Sequence, residues 1–117
     1  MSIILYGIKN CDTVKKARLW LEAQQIEYAF HDFRMDGLTK DMLKDFLEHV
    51  DWETLLNKRG TTWRKLPDKQ KYDVNKKKAL DLMYQNSTLI KRPVLAYGKK
   101  FYVGFSETDY EKIFNPD

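Results

Sequence analysis

The stretch Ile3-Ile4-Leu5-Tyr6-Gly7-Ile8-Lys9-Asn10-Cys11-Asp12-Thr13-Val14-Lys15-Lys16-Ala17 decides the fold. Ile3 to Leu5 is a short apolar run that reads as a buried strand, with strand one over residues 2–7. Gly7 and Asn10 break it, and from Asp12 or Thr13 the pattern turns helical. Val14, Ala17, Leu19, Trp20 and Leu21 give the apolar stripe of a first helix running to about Gln25. Cys11, the only cysteine in the chain, therefore falls at a strand-to-helix junction. A helix N-terminus offers unpaired N–H groups and the positive end of the helix dipole, which favour an anion. A thiolate is such an anion, and it is the nucleophilic form of cysteine. Lys9, Lys15 and Lys16 add positive charge nearby. A lone cysteine otherwise serves as a small buried hydrophobe.

Reading outward, Glu27 to Phe33 alternates apolar and polar residues, as a half-buried strand does. Asp36-Gly37-Leu38 is a turn, and Thr39 is placed to cap an amphipathic helix over 40–50. Short helices are expected over 52–57 and 61–66, the latter stopped by Pro67, and a longer one over 76–86. Pro93 to Tyr97 reads as strand three, Gly98-Lys99 as a hairpin turn and Lys100 to Val103 as strand four. Ser106 then caps a last helix over 107–114.

The order is β-α-β, a block of helices, then β-β-α. The opening unit implies two parallel strands joined by a crossover helix, and the closing hairpin adds two more strands. This is an α/β fold of the thioredoxin/glutaredoxin type: a four-stranded mixed sheet with a helical insertion, about 37–90, between its halves. Such a fold sets its active site where strand one meets helix one, at Cys11. By analogy with that fold, Pro93 is expected to be cis and beside the cysteine, which would bring Arg92 to the same place. A guanidinium there would favour the thiolate and grip a carboxylate or oxyanion.

With 117 residues the chain fits a single domain, expected to span 1–117. One cysteine cannot form an intrachain disulfide, which suits a reducing compartment. The N-terminus has no signal-peptide pattern and no apolar run nears the ~20 residues of a membrane span, so a cytoplasmic protein without a membrane partner is expected. The net charge of +4 comes with basic clusters at 58–59, 64–65, 69–71 and 76–78. Interleaved acids at Asp68, Asp73 and Asp81 favour a solvated surface over a nucleic-acid partner, and an anionic small substrate also suits the excess. His31 and His49 have no metal-ligand spacing with Cys11, so no metal site and no bound cofactor are expected.

Three segments together, Tyr6 to Ala17, Leu55-Leu56-Asn57-Lys58-Arg59-Gly60-Thr61-Thr62-Trp63 and Leu89-Ile90-Lys91-Arg92-Pro93-Val94, resemble the arsenate reductase (ArsC)/Spx family, and most of all its YffB branch. The resemblance covers essentially the whole chain. It implies Cys11 as catalytic nucleophile and Arg92 as the arginine before the cis-proline. Arsenate reductases of this kind use two further arginines. Arg59 is the sole arginine where the middle one would fall, offset in register, and Val103-Gly104-Phe105 holds none where the third would fall. Fewer arginines hold a tetrahedral oxyanion less well. Val14 stands where the Spx branch often carries the second cysteine of a Cys-x-x-Cys pair.

The family implies a glutathione-dependent thiol reductase acting through an intermolecular mixed disulfide, with glutathione as co-substrate and glutaredoxin or a protein thiol as further partners. On this reading Arg92, Arg59, Lys9, Asn10, Lys15, Pro93 and Val94 contact the substrate, the Pro93-Val94 backbone pairing with the glutathione chain. The alternatives are an arsenate reductase using glutathione and glutaredoxin, and a Spx-like protein-binding module or regulator without catalysis.

Overall fold

The computed structural model describes residues 2–116. Its elements run β1 (Ile3–Gly7), α1 (Asp12–Ala23), β2 (Ala29–Asp32), α2 (Lys40–His49), α3 (Trp52–Leu55), α4 (Thr61–Lys65), α5 (Asp68–Lys71) and α6 (Lys76–Gln85). A 3₁₀ turn (Ser87–Leu89), β3 (Val94–Tyr97), β4 (Lys100–Val103) and α7 (Glu107–Phe114) complete the chain. The four strands form one mixed sheet in the order β2-β1-β3-β4. β1 and β2 are parallel, while β3 is antiparallel to both β1 and β4. This is the thioredoxin/glutaredoxin-like arrangement.

The chain divides into two compact units. The first comprises the residues up to Asp32 and those from Arg92 onward. Its core gathers Leu5, Ala17, Trp20, Leu21, Leu95 and Tyr110, so α1 and α7 bury apolar faces against the sheet. Trp20 meets Tyr110 edge-on at 5.7 Å, and Phe105 meets Tyr110 in the same way at 4.6 Å, the geometry that ring quadrupoles favour. Leu19 departs from expectation. It is 67 % exposed, because Val14, Ala17, Trp20 and Leu21 already fill the buried face of α1 and the next position on the helix turns outward.

The hairpin turn is tight. Tyr97 pairs with Lys100 across Gly98-Lys99, and Gly98 takes φ +62°, a conformation open to glycine at little cost.

The second unit is Phe33–Lys91, all helices and turns. Leu43, Phe46 and Leu47 of α2 and Ala79, Leu82 and Met83 of α6 are its buried faces. Thr39 caps α2 as expected, its Oγ accepting from the Met42 N–H at 3.1 Å. Asn75 caps α6 in the same manner, accepting from the Lys78 N–H at 2.9 Å. The one-turn helix α5, the 3₁₀ turn and an antiparallel bridge between Leu56 and Ile90 are not visible in the sequence pattern. The bridge is closed by Asn57 N–H to Leu89 O and Lys91 N–H to Leu55 O, both at 2.7 Å. No helix among the described residues is long and apolar enough to cross a membrane.

Candidate active site

The site grows from the end of β1. Ile8 is buried and anchors a turn in which the Cys11 N–H donates to the Ile8 carbonyl at 3.1 Å. Lys9 and Asn10 occupy the corners of that turn and are exposed. Cys11 is itself the N-cap of α1, with φ −96° and ψ 127°, and its carbonyl accepts from the Lys15 N–H at 2.9 Å. A Ser, Thr, Asp or Asn at this position would accept from the N–H groups of the first turn. Here no side chain does so. The half-buried, unbridged thiol of Cys11 thus stands where the helix offers unpaired donors to an anion. Lys15 lies one turn along α1 and is exposed.

Gly7 makes this junction possible. A Cβ on Gly7 would lie 2.7 Å from Cγ2 of Val14, closer than real side chains approach. Only glycine lets the strand end press against the first turn of α1.

The sheet register brings the second part of the site to the same end. Tyr6 lies opposite Val94, so the chain leaving β1 for Cys11 and the chain entering β3 through Arg92-Pro93 share one end of the sheet. The Arg92-Pro93 peptide bond is cis. Arg92 is half-buried, and its Nε is buried with no hydrogen-bond partner among the described residues. Pro93 is buried, and its carbonyl accepts from the Gly104 N–H at 2.8 Å. Val94 is fully buried and sits on an interior strand, opposite Tyr6 on one side and Val103 on the other. The open backbone edge expected at Pro93-Val94 is therefore taken up by the sheet itself. Pro93 and Val94 form a wall at this end of the sheet.

Asp32 escaped the sequence reading. It ends β2 opposite Gly7, is 4 % exposed, and its Oδ2 accepts from the Lys9 N–H at 2.9 Å, bracing the turn before Cys11. A signal was present. Asp32 shares strand parity with Tyr28 and Phe30, the face that packs on the core, and a carboxylate in the inward phase of a strand needs a buried donor.

Arg59 belongs to the second unit, in the turn between α3 and α4. It is exposed, and its N–H donates to Asn57 Oδ1 at 3.1 Å. His49 stands on α2 with Asp45 and Glu48, where positions i, i+3 and i+4 bring three exposed donor groups within 4.8 Å of one another. That grouping was not read from the sequence, which weighed the histidines only against Cys11.

Residues 6–113 match the ArsC family. The chain belongs to the ArsC family. A protein of Haemophilus influenzae is 46 % identical over 112 residues, spanning 96 % of this chain and 98 % of its own length. The solved structure of a YffB protein superposes with a TM-score of 0.89 at 44 % identity, over 93 % of this chain and 96 % of the other. An arsenate reductase (ArsC) related protein from Brucella melitensis gives a TM-score of 0.80 at 49 % identity, over 98 % and 96 % of the two chains. Within the ArsC family, Val14 decides one matter locally. The position three residues after the cysteine is filled by a fully buried valine, so α1 holds no partner thiol for an internal disulfide.

Proposed function

We propose that this ArsC-family protein is a glutathione-dependent thiol reductase with Cys11 as its nucleophile. The Cys11 thiolate attacks the glutathione sulfur of a mixed disulfide, forming a Cys11–glutathione disulfide and releasing the substrate thiolate. A second glutathione thiolate then attacks that adduct, forming glutathione disulfide and regenerating Cys11. The net exchange converts one mixed disulfide and one glutathione thiol into the substrate thiol and glutathione disulfide, with protons exchanged with water. The unpaired N–H groups at the start of α1 stabilise the thiolate, helped by Lys9 and Lys15. Arg92 pairs with a glutathione carboxylate, and Asn10 and Pro93 border the bound tripeptide.

The observation that carries this reading is the uncapped N-terminus of α1 with the Cys11 thiol in the capping position, at the sheet end that also holds the unpartnered Nε of Arg92. Arsenate is the less suited substrate. Val103-Gly104-Phe105, at the same end of the sheet as Arg92, adds no arginine to it, and a tetrahedral oxyanion is held best by several guanidinium groups.

The test is turnover of a glutathione mixed disulfide, coupled to glutathione reductase, for the wild type, Cys11→Ser and Arg92→Ala. Cys11→Ser should abolish turnover. Arg92→Ala should raise KM for the mixed disulfide about tenfold or more, the size of a lost charge-assisted pair. Turnover retained by Cys11→Ser overturns the proposal. Arsenate reduced faster than the mixed disulfide under the same donor would replace it with arsenate reductase activity.

A further inference from the structure

Residues 58–78 carry nine lysines and arginines against two aspartates, a net charge of +7 in a chain of +4, so the remaining residues carry −3. The asymmetry is spatial as well as sequential. The Lys71 ammonium donates to the Arg64 carbonyl at 3.5 Å, tying α5 to α4. The Lys78 ammonium donates to the Lys69 carbonyl at 3.1 Å and to the Tyr72 carbonyl, tying the start of α6 to α5. Lys58 lies over the rings of both Trp52 and Trp63, at 5.5 and 5.7 Å. Lys71 and Lys78 are half-buried and engaged within the unit, and Lys58, though exposed, lies over two rings; Arg59, Arg64, Lys65, Lys69, Lys76 and Lys77 are exposed as well.

A local rule is also broken here. The first turn of α6 is Lys76-Lys77-Lys78, with no acidic residue, at the positive end of the helix dipole. Three cations there repel the dipole and one another, so the helix is less stable than one with acids in its first turn. An anionic partner would reverse that sign.

We infer that the face formed by α4, α5 and the first turn of α6 binds the phosphate backbone of single-stranded nucleic acid. Three observations favour phosphodiester over an acidic protein. Five of the seven exposed cations in 58–78 are lysines, point charges that suit phosphate but are depleted from protein–protein interfaces. Neither α4 nor α5 has a buried residue, so the face is built of exposed and half-exposed side chains rather than of a packed apolar surface. Tyr72 is 71 % exposed among these cations, placed to stack on an unpaired base. Of the acids interleaved here, Asp68 meets Lys71 at 3.9 Å, a cation already engaged within the unit.

The test is fluorescence anisotropy with a labelled 20-nucleotide single-stranded RNA and the corresponding DNA, over a range of potassium chloride. Micromolar binding at low salt is expected, with a log–log salt slope of about −2 to −4, from about 0.7 per phosphate neutralised. Combined Lys69→Glu, Lys76→Glu and Lys77→Glu should weaken binding more than tenfold, and the same three positions as Gln should weaken it less. Tyr72→Ala should cost about fivefold or more on the single strand and little on a duplex. A control with Lys99→Glu, Lys100→Glu and Lys112→Glu makes the same change in net charge at exposed sites of the other unit. Equal weakening by the control would reduce the effect to net charge and overturn the inference. Competition by polyglutamate as effective as by the oligonucleotide would assign the face to an acidic polypeptide instead. Absence of salt-sensitive binding overturns it outright. Cys11 turnover is untouched by any of these variants, so this inference and the thiol reductase reading fail separately.

Discussion

Gly7→Ala is a sharp test of how the site is held. On an unstrained strand this change is stabilising by about 0.5–1 kcal/mol, because glycine loses more backbone entropy on folding than alanine. Here the new Cβ would sit 2.7 Å from Cγ2 and 3.3 Å from Cγ1 of Val14. Val14 is fully buried, and its β-branched side chain has few rotamers to yield into. Overpacking of this kind costs about 1–3 kcal/mol, which outweighs the entropic gain. The net expectation is destabilisation by about 1–2 kcal/mol, or about 4 °C in Tm per kcal/mol for a chain of this size. Val14→Ala alone should cost about 2 kcal/mol for its buried methyl groups. In the double variant the clash disappears, so Gly7→Ala becomes neutral or stabilising in the Val14→Ala background. Urea denaturation at 25 °C of the four proteins gives the cycle. A Gly7→Ala protein as stable as the wild type, or two costs that simply add, would refute the account of why β1 can meet α1 so closely.

Other outcomes follow from single contacts. Asp32→Ala should destabilise the protein by about 1–3 kcal/mol by leaving the Lys9 N–H without its acceptor, and Asp32→Asn, which keeps an acceptor oxygen, should cost less; chemical denaturation measures both. Tyr110 buries a hydroxyl with no partner among the described residues, so Tyr110→Phe should hold or raise stability by about 1 kcal/mol, read as a midpoint shift. Burial pushes the Tyr110 phenol above its ordinary value near 10, so its neutral form stabilises the fold below that pH and the contribution is lost as pH climbs above it. Alkaline difference absorbance should show one tyrosine ionising only as the protein unfolds, and the Phe variant should lack that step. Asn75→Ala should cost about 1 kcal/mol by uncapping α6, visible in thermal melts.

The legible parts of this protein are those written in short stretches. The Thr39 and Ser106 caps, the Gly98-Lys99 hairpin, the β4 limits and the junction at Cys11 each depend on a few neighbouring residues, and each stands where the residues put it. The site was half legible for the same reason. Cys11, Lys9, Asn10 and Lys15 share one turn and one helix start, whereas the role of Asp32 rests on a partner 23 residues away.

By itself the sequence determined the alternation of strands and helices, the single thiol and its place at a helix start, and the concentration of positive charge in 58–78. The tertiary structure decided which apolar residue of α1 faces out, that Val94 is closed off by strands on both sides, and that Asp32 braces the turn before the cysteine. The pairing of Tyr6 with Val94 also brings Arg92 to the Cys11 end of the sheet, a placement the sequence offered only through analogy with the fold. The physical reason is the range of the forces involved. Helix and turn preferences act between residues a few positions apart, whereas strand register and burial are settled by partners brought together only when the core closes.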